Sequence, residues 1–474
     1  MIRRCRALCC AVTGASLALL SQVASAETST FDGALLSRPW AIPFAGILLS
    51  LAIWPLLAPR FWHDHYGKIT AAWSIAFLVP FTAVFGIDEA VHTVVHVLVG
   101  EYLPFVILLL ALYTVAGGIA VRGTLVGTPA LNTGIIALGT ALASFMGTTG
   151  AAMLLIRPLL RANQTRERKV HLVVFFIILV GNVGGALSPL GDPPLFIGFL
   201  KGVDFFWTTR ALAMPTLLLS VALLATFFVV DTLLWKRDRG AVSAPPPARE
   251  PLAVEGAWNF LLVAGVIGLV LLSGIWKPGI AFDLAGTPLE LQNLARDVGL
   301  LLLVGGSLWL TPRRVRKANA FNWAPIAEVA KLFAGIFLTV APVIAMLHAG
   351  REGALAPIVA LVSDASNAPR PLMYLWMTGI LSAFLDNAPT YLVFFNLAGG
   401  DAATLMGPLG RILAMISAGS VYFGALTYIG NAPNFMVKAI AEERGVAMPS
   451  FFPYFAWASL IMAPMLSLLS WIYA

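Results

Sequence analysis

The chain has 474 residues, of which 59% are hydrophobic and 11% charged, with a formal net charge of +7. Soluble globular proteins carry about 25% charged residues, so a water-soluble enzyme or binding module does not fit; long apolar blocks between short polar stretches are those of a multi-span helical protein of the lipid bilayer. In such a chain the basic surplus belongs first to cytoplasmic loops, and no nucleic-acid partner is expected.

The segment "MIRRCRALCCAVTGASLALLSQVASA" has a basic start, an apolar centre and small residues at Ala24 and Ala26. It reads as a signal peptide over 1–26, cut before Glu27. Cys5, Cys9 and Cys10 all lie inside it, so the mature chain is expected to have no disulfide, thiol nucleophile or Cys-ligated metal.

Apolar blocks then predict spans near 41–58, 68–86 and 101–121. Ahead of the third, "GIDEAVHTVVH" puts Asp88, His92 and His96 on one helical face. They are weak metal or pH-sensing candidates, because a two-His spacing without a further ligand is a poor signal, and the stretch is read as an amphipathic interfacial helix outside the membrane. The block 128–160 is too long for one crossing and is interrupted near its middle, which predicts a re-entrant hairpin. Spans follow at 170–200 and 210–235, and a proline-rich linker at 236–256 separates a first repeat (27–235) from a second (257–474). The second half predicts spans at 257–276, 297–311 and 324–348, a re-entrant hairpin over the block 356–400, and spans at 405–442 and 452–472. With the N-terminus outside, the Lys/Arg clusters at 60–68, 161–169, 236–250 and 312–317 all face the cytoplasm, as the positive-inside rule requires.

The two halves are related in sequence. "GALSPLGDPPLFI" (185–197) returns as "GALTYIGNAPNFM" (424–436), an offset of 239 residues, and the same offset lays "SFMGTTGAAMLL" (144–155) on "AFLDNAPTYLVF" (383–394). In each half a broken hairpin precedes a broken span, and the orientation makes the halves inverted copies. Discontinuous helices in inverted repeats mark a secondary transporter. The expected fold is thus all-α, with about ten transmembrane helices, two re-entrant hairpins and two broken helices.

Asp192 and Asp386 stand at these breaks. An intramembrane carboxylate is retained mainly where it faces a cavity and binds something, although Asp beside Gly and Pro also suits the cap of a half-helix. Neutral ligands cluster in the same motifs: Thr148, Thr149, Asn182 and Ser188 from the first half, and Asn387, Thr390, Thr427 and Asn431 from the second. Hard cations take such oxygens together with carbonyls freed where Gly and Pro unwind a helix. No Lys or Arg falls within the motif cores, so Na+ and H+ are expected to compete for the carboxylates; helix N-termini nearby could equally hold an anion.

The motifs resemble those of the ion transporter superfamily, which includes citrate and dicarboxylate carriers, arsenite permeases and bacterial sodium/proton antiporters of the NhaD type. "SAFLDNAP" is similar to the antiporters' Asp-Asn-x-Pro hairpin, and "SPLGDPP" to their Thr-Pro-x-Gly-Asp-Pro broken helix. "TYIGNAPN" resembles the matching second-half motif, whereas the first hairpin reads "MGTTGAAM", without an Asp-Asn pair. The resemblance implies a homodimer in which a transport domain slides against a scaffold, with Asp192, Asp386, Asn387 and Asn431 at the cation site.

The expected function is secondary transport across the bacterial inner membrane, in first place Na+/H+ antiport, with Na+- or H+-coupled citrate or dicarboxylate symport as the alternative. No enzymatic activity and no cofactor are expected; the partners are small ions or small carboxylates.

Overall fold

In lipid every backbone N–H and C=O must be satisfied within the protein, and a helix does this within one segment. The computed structural model describes residues 32–238, 251–364, 366 and 368–473. The expected signal segment 1–26 and the linker residues 239–250 lie outside the described residues.

The first half begins with α1 (Ile42–Leu57), α2 (Pro59–Phe85) and a third stretch made of α3 (Ile87–His96), a π turn (Val97–Tyr102) and α4 (Leu103–Ala116). After β1 (Ala120–Arg122) comes the hairpin of α5 (Pro129–Met146) and α6 (Thr148–Ala162). Thr128 caps α5 by accepting from the Leu131 amide, with Pro129 in the first turn. Gly147 makes the hairpin tip at φ +79°, in the left-handed region where a side chain is strained. The broken span is α7 (Val170–Leu179), a 3-10 turn (Val183–Leu187) and α8 (Pro193–Leu200), and α9 (Trp207–Asp238) closes the half.

The second half starts at β2 (Ala253–Glu255), which pairs antiparallel with β1, and continues through α10 (Trp258–Ile275), the β3–β4 hairpin (Ala281–Leu284, Thr287–Glu290) and α11 (Leu291–Leu310). Next come α12 (Arg313–Ala318), α13 (Ala324–His348) and α14 (Ala356–Val362). Its hairpin is α15 (Pro371–Phe384) and α16 (Asn387–Leu397), followed by α17 (Ala402–Met406). The second broken span is α18 (Gly410–Phe423), a 3-10 turn (Gly424–Leu426) and α19 (Ala432–Glu443), before α20 (Phe451–Tyr473).

Ten helices among the described residues are long and apolar enough to cross a membrane. One of them, Pro129–Met146, is a hairpin arm; the second broken span is missing from the ten because its apolar piece, Gly410–Leu426, is short. Three crossings precede each hairpin in its own half, and the first half crosses five times in all with its hairpin returning to its own side, so the second half starts on the opposite side and the hairpins enter from opposite sides, inverting the repeats.

Two expectations need correction. The stretch holding Asp88, His92 and His96 is not a separate interfacial helix: it runs on through the π turn into the third span, giving a helical length of 30 residues over Ile87–Ala116. The block 356–400 is not all hairpin, because α14 at its start is a distinct short helix. In both places apolar content alone did not reveal where the backbone turns.

Helices α1, α2, α3–α4, α10, α11 and α13 pack on one another, and the hairpins, broken spans, α9 and α20 form a second bundle. The seam between them is made by α4 on α6 and, at the repeat-related place, α13 on α16. Within the second bundle the halves interlock, with α6 against α19 and α16 against α8. Its innermost segment is Val170–Leu187, 89% buried where most spans are 17–28% buried. A broken helix leaves backbone groups that lipid cannot satisfy, so it has to lie inside protein.

The breaks are sterically tight. A Cβ on Gly191 would sit 2.1 Å from the Gly185 carbonyl oxygen, and one on Gly430, its copy, 2.6 Å from that of Gly424. Gly191→Ala and Gly430→Ala are each expected to lower stability by about 1–3 kcal/mol through overpacking. Gly134→Ala, where nothing lies within 4 Å, leaves it unchanged or raises it. Thermal unfolding of the purified variants in detergent checks this order.

Candidate ion-binding site

Four half-helices, α6, α8, α16 and α19, begin at the breaks, and their first residues meet at one side chain. Asp192, 1% exposed, directly precedes α8 but makes no capping hydrogen bond to it. Its carboxylate instead turns to the other three half-helices. Oδ1 accepts from Thr148 Oγ1 at 3.2 Å and from Asn431 Nδ2 at 2.9 Å, and Oδ2 accepts from Asn387 Nδ2 at 2.6 Å. Thr148 opens α6, Asn387 opens α16 and Asn431 directly precedes α19. The carboxylate is thus held by neutral donors, two of them from the opposite half of the chain.

Asp192 and Asn431 are equivalent positions of the repeat, 239 residues apart, and they touch. The same spacing governs the scaffolding around them: Ser188 donates to the Ser144 carbonyl, and its copy Thr427 to the carbonyl of Ala383. Leu190 N then donates to Ser188 Oγ and Ile429 N to Thr427 Oγ1, both at 3.2 Å. Ser188 and Thr427 therefore brace their own breaks and are not among the hydrogen-bond partners of Asp192.

Asn182 stands one step back. Its Oδ1 accepts from Asn431 at 3.2 Å, and its Nδ2 donates to the Ile177 carbonyl and to Asn434 Oδ1, both at 2.8 Å. Asn434, which sequence reasoning missed, donates in turn to the carbonyls of Gly424 and Thr427 at 2.7 and 2.8 Å. It sits inside the "GNAPNFM" motif, but its repeat counterpart is Leu195, so the alignment did not single it out; a buried amide in an apolar span was the available signal.

Asp386 has a different role from Asp192. Its Oδ1 accepts from the Ala388 amide at 3.1 Å, a cap for α16. Thr390 Oγ1 donates to the Asp386 carbonyl at 2.9 Å. Thr149 is half-buried beside Thr148. His92 and His96 stack at 6.2 Å between ring centroids, with His92 against the turn at Gly286. Among the described residues no group of three His, Cys, Asp or Glu is gathered to hold a metal.

A second buried acid went unnoticed, although a lone charge in "FFVVDTLLW" is itself a signal. Asp231 Oδ1 accepts from Arg166 Nη1 at 2.5 Å and lies 2.8 Å from His171 Nε2, and its Oδ2 accepts from Asn132 Nδ2 at 2.8 Å. Arg166 Nε also reaches Asp238 at 3.4 Å, and Arg168 Nη1 meets Asp238 at 2.7 Å, so Asp231 belongs to a buried ion-pair network in which acids are matched by arginines. The hydrogen-bond partners of Asp192 are all uncharged.

Ten candidate spans, inverted repeats, and a hairpin and broken helix from each half meeting at one buried carboxylate define a multi-pass secondary transporter. Residues 33–474 match the family described as "Putative citrate transport", and the chain belongs to that family. No curated protein matches the chain.

Each donor to Asp192 carries part of the burial of its charge. Asn431→Ala and Asn387→Ala are expected to lower stability by about 1–3 kcal/mol, the range for leaving a buried polar group unpaired. Thr149→Ala is expected to stay within about 0.5 kcal/mol. Equal shifts for all three in thermal unfolding would count against the geometry.

Proposed function

We propose that the transporter exchanges Na+ for protons, with Asp192 as the carboxylate that both ions share. The observation that carries this reading is a fully buried acid whose hydrogen-bond partners are all neutral. Such a group holds a counter-charge only by taking up a proton or a cation. Asn387 supports the cation: its Nδ2 donates to Asp192, and its Oδ1 is buried without a hydrogen-bond partner, an oxygen left for a hard ion. Loading Na+ requires the ionised carboxylate, and protonation releases it. Asp386, within electrostatic reach of Asp192 at the neighbouring hairpin tip, adds negative potential for the ion.

A second reading, coupled symport of citrate or a dicarboxylate, is favoured by the four half-helix N-termini. Each carries roughly half a positive charge, so together they offset the carboxylates of Asp192 and Asp386 and make room for an anion at the same place. The family description points to the same substrate class.

Reconstitution into proteoliposomes with an internal pH dye separates the two, with Na+, Li+, K+ and citrate added in turn. Antiport predicts proton movement on Na+ addition without citrate, lost in Asp192→Asn; Asp386→Asn keeps an acceptor for the cap but weakens the response. Folded Asp231→Asn protein should still respond to Na+, since that acid is matched to Arg166. A response to citrate alone would replace the first reading by the second.

A further inference from the structure

Three arginines are buried among the described residues: Arg157, Arg166 and Arg296. Two are met by acids, Arg166 by Asp231 at 2.5 Å and Arg296 by Asp297 at 2.8 Å. Arg157 is only 9% exposed, and its Nη1 is sealed from solvent without a hydrogen-bond partner. A guanidinium does not shed its proton in a protein, and an uncompensated buried charge is among the most destabilising arrangements a fold can contain. No acid meets Arg157 in a hydrogen bond, and its sealed Nη1 is left for an anion from outside the chain.

The position fits such a ligand. Arg157 lies on α6, nine residues beyond Thr148 and so about 14 Å along the arm from the central carboxylate. This is the end of the hairpin that faces the basic loops. It lies within electrostatic reach of Tyr113 on α4 and of Glu443 and Arg444 at the end of α19. Glu443 and Arg444 are exposed, so the seam where α4, α6 and α19 meet opens to the aqueous side. The two arginines outnumber the one acid. In the second repeat the equivalent residue is Asn396, whose Oδ1 is matched at 3.0 Å by His348 Nε2. The inverted copy is thus neutral and internally paired.

We propose that Arg157, flanked by Arg444, binds an oxyanion at this seam, a carboxylate or phosphate group whose two oxygens take the guanidinium fork. The same chemistry is offered by a soluble carboxylate or phosphate and by the headgroup of an anionic lipid. The site does not depend on the ion exchange proposed above.

The test uses the purified full-length chain in neutral detergent, titrated with citrate or inorganic phosphate, and in phosphatidylcholine nanodiscs with or without phosphatidylglycerol; binding and thermal unfolding are both read. Without an anion, Arg157→Gln is expected to unfold at a higher temperature than the wild type, because an unpaired buried charge is gone. With saturating probe the order reverses, and the affinity of Arg157→Gln falls by about tenfold or more, as expected for losing a charge-assisted bond. A response to citrate or phosphate in detergent assigns a soluble anion, and a response to phosphatidylglycerol alone assigns a lipid. Equal responses of wild type and Arg157→Gln to all three probes would overturn the site. If Arg157→Gln does not fold, Arg157→Lys serves: a point charge without the fork should bind more weakly, and unchanged affinity overturns the proposal. Asp192→Asn should keep the Arg157-dependent response, which distinguishes a failure here from a failure of the exchange reading.

Discussion

The hydrogen bond between Asn431 and Asp192 joins two residues that occupy the same place in two inverted halves. Equivalent groups related by an approximate two-fold axis touch only if both lie close to that axis. Their contact therefore sets how the repeats meet, and the interlocking of α6 with α19 and of α16 with α8 follows from it. The breaks in the helices are what allow it: a continuous helix would satisfy its own backbone and present no half-helix N-terminus at the centre of the protein.

Placing a carboxylate at such a point is tolerable for two reasons. Three side-chain donors replace water around it, and the half-helices direct their positive ends toward the same region. The repeat is symmetric in backbone and asymmetric in chemistry. Gly185–Gly191 and Gly424–Gly430 make the same close approach, while the side chains at the shared position are an acid in one half and an amide in the other. Two acids there would repel; an acid and an amide form a donor–acceptor pair. Asp231 makes the contrast within the same bundle, where Arg166 neutralises the charge and leaves no vacancy for an ion. Arg157 is the reverse case, a buried cation whose Nη1 no acid meets.

Much of this was legible from the chain alone. Apolar blocks, basic loops, both hairpins, both broken spans and the 239-residue offset are properties of local composition or of the register between motifs. So were most of the side chains around the carboxylate: Thr148, Asn387 and Asn431 touch it, and Asn182 holds Asn431. The helical continuity from Ile87 to Ala116 was not legible, because the polar face of "GIDEAVHTVVH" also suits an interfacial helix. Asn434 escaped because its copy is leucine, and Asp231 because it lies outside the repeated motifs.

The sequence by itself determined the membrane class, the inverted repeats and the places where the helices break, since hydropathy and the backbone demands of Gly and Pro act over a few residues. Only the tertiary structure decided what each polar group does: that Asp192 faces three other half-helices while Asp386 caps its own, that Ser188 and Thr427 brace the breaks, and that Arg157 stands unpaired. Partnership in a hydrogen bond or an ion pair depends on groups often more than a hundred residues apart in the chain, and their meeting is set by packing.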